Sequence, residues 1–133
     1  MRWKNKYNAI RTKVDGINFA SKLEASVYCR LKCHANAGKI SGIARQYQVN
    51  FDEQMTIMKP DFKFVFWPLG IQMFAEAKGF EGQKWKRDKK IWAKHGPAPM
   101  LIYKGTAAKP LLTEIIGPMV DDNLNRAIRQ HIF

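Results

Sequence analysis

Three polar side chains in one short stretch have the types and spacing to do chemistry. The run KPDFKFVFWPLGIQMFAEAKG, residues 59–79, places Asp61 near its start and Glu76 and Lys78 near its end. Between them the pattern alternates. Phe62, Phe64 and Phe66 recur at every second position, and so do Ile71, Met73, Ala75 and Ala77, so each run reads as a strand with one apolar face. Pro68 pre-sets a turn between them and Gly70 relaxes its exit. An even-membered loop sets Phe66 against Ile71, Phe64 against Met73 and Phe62 against Ala75, all apolar pairs. A three-residue loop with a glycine bulge would oppose Phe66 to Gln72 and waste that face. The even register also brings Asp61 opposite Glu76, with Lys78 one step further along the same face.

Two carboxylates meeting across a strand pair are close enough to share one divalent cation. Magnesium takes oxygen ligands and keeps several waters. Left alone, facing acids repel and one pKa rises. A lysine beside them can hold an attacking water or offset charge building on a phosphate, while the cation acidifies its water and polarises phosphoryl oxygens. The chemistry expected of this hairpin end is metal-dependent hydrolysis of a phosphodiester. The plainer reading makes Asp61 a strand-starting turn residue and leaves Glu76 and Lys78 on a solvated edge.

The elements that must position these groups can be read in order. Val14–Gly16 (VDG) is a turn, either between short strands or ahead of a helix. From Ser21 to about Ala37, Leu23, Val27 and Leu31 recur at helical spacing, and Gly38 supplies the stop. Ser21 followed by Glu24 is a capping box. Tyr47, Val49 and Phe51 alternate as a strand, DEQM follows as a turn, and residues 55–58 are expected to continue toward the hairpin. After Gly79 comes a short, very basic helix, closed by Gly96 and Pro97, with Trp85, Lys89 and Trp92 on one side. The seven-residue spacing of the tryptophans fits packing better than base stacking. Met100–Tyr103 is a buried strand, Pro110 and Gly117-Pro118 are breakers, and Asp121–Phe133 is a final helix with Leu124, Ile128 and Ile132 on one face.

The whole chain has 133 residues, 46% of them hydrophobic, enough for one domain with a core. Its net charge of +12 is more than folding needs and points to a polyanion, nucleic acid before an anionic membrane. No apolar run is long enough to span a bilayer, and the basic start lacks the apolar segment of a secretory signal, so a cytoplasmic location is expected. Residues 1–13 form a basic arm carrying Arg2, Lys4, Lys6, Arg11 and Lys13. Lys84, Lys86, Arg87, Lys89 and Lys90 crowd the helix after the hairpin, with Asp88 as the one opposing charge, and are candidates to grip phosphates. Cys29 and Cys33 with His34 are too few for a disulfide scaffold or a zinc site and read as reduced helical cysteines.

Pro60-Asp61 with Glu76-Ala77-Lys78 resembles the core motif of the PD-(D/E)XK nuclease superfamily. FASKLEASVY, with Phe19, Ser21 and Glu24, resembles the first-helix motif of its small phage-encoded members, which include junction-resolving endonucleases. QYQV at Gln46–Val49 resembles the strand that follows that helix. The likeness covers roughly residues 14 to 92, and its minimal catalytic pattern has no departure. It implies an α/β fold, a central mixed sheet flanked by helices, over residues 14–133. It implies Mg²⁺ (or Mn²⁺) held by Asp61, Glu76 and the backbone carbonyl of Ala77, with Glu24 as a further ligand, direct or through water. Lys78 would orient the nucleophilic water, and Gln46 matches a polar position near the site. The activity implied is cleavage of DNA, with branched forms such as four-way junctions as the preferred class, by a homodimer whose twofold matches two opposed cuts. A nicking or restriction-type enzyme on linear DNA is the alternative within the class. A basic DNA-binding or inhibitory protein with idle acids is the alternative outside it.

Overall fold

The computed structural model describes residues 12–132. Arg2, Lys4, Lys6 and Arg11 of the expected arm lie outside the described residues. Lys13 is exposed on the first strand, β1 (Thr12–Val14), which pairs with β2 (Ile17–Phe19). Asp15 and Gly16 turn the chain between them, at φ 52° and 76°.

Helix α1 (Lys22–Asn36) forms as its spacing requires, burying Leu23, Val27 and Leu31. The Ser21 hydroxyl caps it by accepting the Glu24 N–H at 3.0 Å. Gly38, at φ 76°, turns the chain out of the helix. Cys29 and Cys33 are free and exposed on its outer side.

The central sheet has five strands in the order β3 (Ile40–Arg45), β6 (Phe62–Phe66), β7 (Ile71–Ala77), β8 (Met100–Gly105), β9 (Pro110–Ile116). Neighbours are antiparallel except β7 and β8, which are parallel. A parallel pair needs a crossover, and the basic helix α2 (Gln83–His95) supplies it. The hairpin register is Phe66 to Ile71, Phe64 to Met73 and Phe62 to Ala75, as the apolar pattern demands. The architecture is therefore a single α/β domain with a mixed sheet flanked by helices.

The segment after α1 differs from expectation. Its strand in the main sheet is Ile40–Arg45, not the run through Tyr47. Gly42 at φ 66° and a register shift between Ser41 and Ala44 break the two-residue alternation, so no strand period shows. Gln46 takes φ 55° and ends the strand, so the QYQV run lies mostly outside any strand. Only Val49–Phe51 (β4) of the expected strand forms, and it pairs with Thr56–Met58 (β5) in a separate ribbon around the Asp52–Met55 turn. Residues 55–58 thus do not extend the hairpin. The breaker Pro110 opens β9 instead. It stands at the first position of an edge strand, where its missing N–H costs the sheet nothing.

The sheet has a core on each face. Phe62, Phe64, Phe66, Met73, Ala75, Leu101 and Tyr103 pack against α1 and against Ile128 and Ile132 of α3 (Asp122–Ile132). Phe74, Met100 and Ile102 point the other way, onto Trp85 and Trp92 of α2 and onto Val49, Phe51 and Met58 of the ribbon. The tail helix, capped by Asp121 Oδ1 accepting the Leu124 N–H at 2.8 Å, is therefore docked by its apolar side. Among the described residues no helix is long and apolar enough to cross a membrane.

Candidate active site

The acid pair sits where β6 begins and β7 ends. Continuing the observed register by one step sets Asp61 against Glu76, and the two are tied reciprocally. Asp61 Oδ2 accepts the Ala77 N–H at 2.9 Å, and Glu76 Oε1 accepts the Asp61 N–H at 3.3 Å. Glu76 lies on the face of β7 that carries Phe74, toward α2. Its side chain is only 8% exposed. Burial raises its pKa well above the usual carboxylate range, and the Asp61 charge adds to the rise, while Lys78 opposes it. A buried acid pressed against another acid is an unfavourable arrangement unless a cation or a proton joins them.

Lys78 continues the strand, its N–H donating to the Tyr103 carbonyl at 2.9 Å. Asp61, Glu76 and Lys78 together line one cleft of about 330 Å³, walled by Met58, Lys59 and Ile57 of the ribbon side and by Lys84, Trp85 and Asp88 of α2. The three groups that the sequence singles out thus share one concavity.

Glu24 approaches from the opposite layer. Its Oε2 accepts the Ala20 N–H at 3.2 Å, and its Oε1 lies 3.5 Å from Arg45 Nη2. That Oε1 is buried and has no hydrogen bond of good geometry. Burial raises the Glu24 pKa first and the charge of Asp61 second, against the pull of Ala20 N–H and Arg45. Glu24 is therefore both part of the helix cap and an electrostatic neighbour of Asp61. Gln46 turns onto the same aspartate: its N–H donates to the Asp61 carbonyl at 3.3 Å, and its Nε2 donates to Oδ1 at 3.4 Å. Its left-handed backbone, costly for a residue with a Cβ, is what aims it there.

The donors fit a hard cation. Asp61 and Glu76 offer carboxylate oxygens, burial leaves Glu76 short of a compensating charge, and one or two carboxylates with waters is the set magnesium takes. Among the described residues no group of three or more His, Cys, Asp or Glu is arranged to hold a metal ion.

The basic residues divide. Lys84 is exposed, and its ammonium reaches Asp88 Oδ2 at 2.7 Å at the cleft wall. Lys86, Arg87 and Lys90 lie along α2, and all three are exposed there. Arg87 also donates to the Gln54 carbonyl of the ribbon turn at 3.4 Å. Lys89 turns inward, 3.3 Å from Glu81 Oε1 and 3.0 Å from Glu114 Oε2, so its charge is spent within the fold. Trp85 and Trp92 are buried, as packing residues.

Sequence reasoning missed Arg45 and Asp88 as parts of this neighbourhood. Arg45 pairs with Glu24 from a strand whose period is hidden, and Asp88, 5% exposed, stands in the sequence only as the one opposing charge of a basic helix. The one signal in the sequence is that Asp88 lies four residues from Lys84 and three from Trp85 on a helix.

No curated protein and no solved structure shows a significant match to the chain. One family model does match, over residues 4–112, a span that holds the acid pair, Lys78 and Glu24. The chain belongs to the family described as Protein of unknown function (DUF1064).

Proposed function

We propose that this protein is a divalent-cation-dependent endonuclease acting on DNA, with branched forms such as four-way junctions as its preferred substrates. The observation that carries the reading is the buried Glu76 held against Asp61 in a cleft that also receives Lys78. Asp61, Glu76 and the Ala77 carbonyl would hold Mg²⁺ or Mn²⁺, with Glu24 contributing through a water. Bound there, the cation supplies an acidified water and a polarised phosphoryl oxygen.

The chain's own residues account for the rest. Gln46 and the Ala77 N–H fix the Asp61 carboxylate, so its oxygens are oriented before substrate arrives. Lys84, Lys86, Arg87 and Lys90 hold the phosphate backbone along α2. Lys78 orients the attacking water and offsets charge on the phosphoryl oxygens. The water oxygen bonds to phosphorus and gives up a proton to solvent, the bond from phosphorus to O3′ breaks, and the 3′-oxygen takes a proton from solvent and leaves as a hydroxyl. Two opposed cuts at a junction call for a homodimer in the cytoplasm where such DNA is found. The branched-substrate and dimer parts rest on the likeness to junction-resolving enzymes.

The test is cleavage of linear, nicked, flapped and four-way DNA with and without Mg²⁺, by wild type and by Asp61→Ala. Mg²⁺-dependent cuts by wild type, fastest on the four-way form and lost in the variant, are expected. Equal binding by both proteins with cleavage by neither would leave a DNA-binding protein and no enzyme.

A further inference from the structure

Lys78 directly follows the last residue of β7, and its ammonium, on a flexible four-carbon stem, has many rotamers to choose among. Its Nζ lies 4.7 Å from the centre of the Trp85 ring. Trp85 stands in the first turn of α2 and is only 7% exposed, so the ring is a fixed surface. Its edge is fixed as well: the indole N–H donates to Glu81 Oε1 at 3.3 Å. Glu81 is itself anchored by Lys104 at 2.9 Å and Lys89 at 3.3 Å, and Lys89 reaches on to Glu114 of β9 at 3.0 Å. Its carboxyl is held down to about 2, chiefly by the Lys104 hydrogen bond, so the anchor stays charged at any working pH.

We propose that Trp85 is the positioning residue for Lys78: its ring face holds the ammonium at the cleft beside Glu76, and Glu81 fixes the ring from its edge. The attraction between a cation and an indole face selects the Lys78 rotamers that keep Nζ over the ring. A leucine of similar reach would fill the core and offer no such face. The catalytic consequence rests on the nuclease reading; the contact itself does not.

The experiment pairs spectroscopy with kinetics on the full chain. Ring currents from Trp85 should displace the side-chain methylene resonances of Lys78 upfield of those of other lysines, with assignment by their loss in Lys78→Met. Trp85→Phe should keep part of the displacement and Trp85→Leu should abolish it. On a four-way junction with Mg²⁺, Trp85→Leu should lower kcat about tenfold with KM unchanged, and Trp85→Phe should restore kcat to within about threefold of wild type. Ordinary lysine resonances in wild type overturn the proposal. So does an unchanged kcat in Trp85→Leu, or an equal loss in the Phe and Leu variants, which would mark simple packing. Should circular dichroism show Trp85→Leu unfolded, the wild-type resonances and Trp85→Phe decide. If wild type cleaves no DNA, the nuclease reading falls, and the resonances alone decide whether Trp85 holds Lys78.

Discussion

Glu76 is the residue whose physics is most constrained. Its folded pKa lies above its unfolded one, because burial and then Asp61 disfavour the charge. Between those two values the folded state binds more protons, so stability falls as pH rises through that window. Glu76→Gln removes the titration. It is expected to raise Tm at neutral pH without divalent ion, by about 3–5 °C per kcal/mol relieved, and to flatten the pH dependence. Mg²⁺ should raise the wild-type Tm at neutral pH and leave that of Glu76→Gln nearly unchanged. Thermal unfolding across pH, with and without Mg²⁺, checks both. A Glu76→Gln protein less stable than wild type at neutral pH would mean that the charge is well compensated without a cation. Asp61, Glu76 and Lys78 were legible in the sequence because a regular hairpin fixes which residues face each other. Arg45 was not, since its partner Glu24 comes from a different element and no local pattern links them.

At the scale of elements, the cleft depends on how α2 is set against the sheet. The helix ends at Gly96, whose N–H donates to the Trp92 carbonyl at 2.8 Å. A Cβ there would lie 2.6 Å from Trp92 Nε1 and 2.7 Å from the Trp92 carbonyl oxygen. The indole cannot easily yield, because its N–H is bonded to the Ala98 carbonyl at 2.9 Å. Gly96→Ala should therefore cost about 1–3 kcal/mol by overpacking. Urea unfolding followed by tryptophan fluorescence measures this, and an unshifted midpoint would show that the corner relaxes freely. The hairpin, α1, α2 and α3 were readable because each keeps one period throughout. Strand β3 was not, since Gly42 and its bulge interrupt the alternation, and β9 was hidden because a proline that opens an edge strand looks like a breaker. Packing against β6 and β8 overrides both local signals.

Across the whole molecule, a net charge of +12 demands a place to act. The described basic residues are not equivalent. Lys86 and Lys90 present their charge on the outer side of α2, whereas Lys89 is committed to Glu81 and Glu114. Replacing Lys86 and Lys90 by Ala should weaken DNA binding and reduce the slope of log K against log salt by about 0.9 for each phosphate no longer neutralised. Lys89→Ala should lower Tm and leave that slope unchanged. Fluorescence anisotropy over a salt series, beside thermal unfolding, separates the two. If Lys89→Ala changes the slope as much as the outer pair does, the division between structural and DNA-facing charge is wrong. The sequence disclosed the excess of positive charge but not this division, which depends on which side of α2 meets β9.

The central claim is that Asp61, Glu76 and Lys78 form one hydrolytic site. The most direct measurement is the single-turnover rate of Mg²⁺-dependent cleavage of a four-way junction, at protein concentrations that saturate binding. Wild type should cleave, and Asp61→Ala, Glu76→Gln and Lys78→Met should each bind the junction as tightly yet cleave it at least about 10²-fold more slowly. Cleavage by all three variants at the wild-type rate, or binding by wild type with no cleavage under any divalent ion, would contradict it.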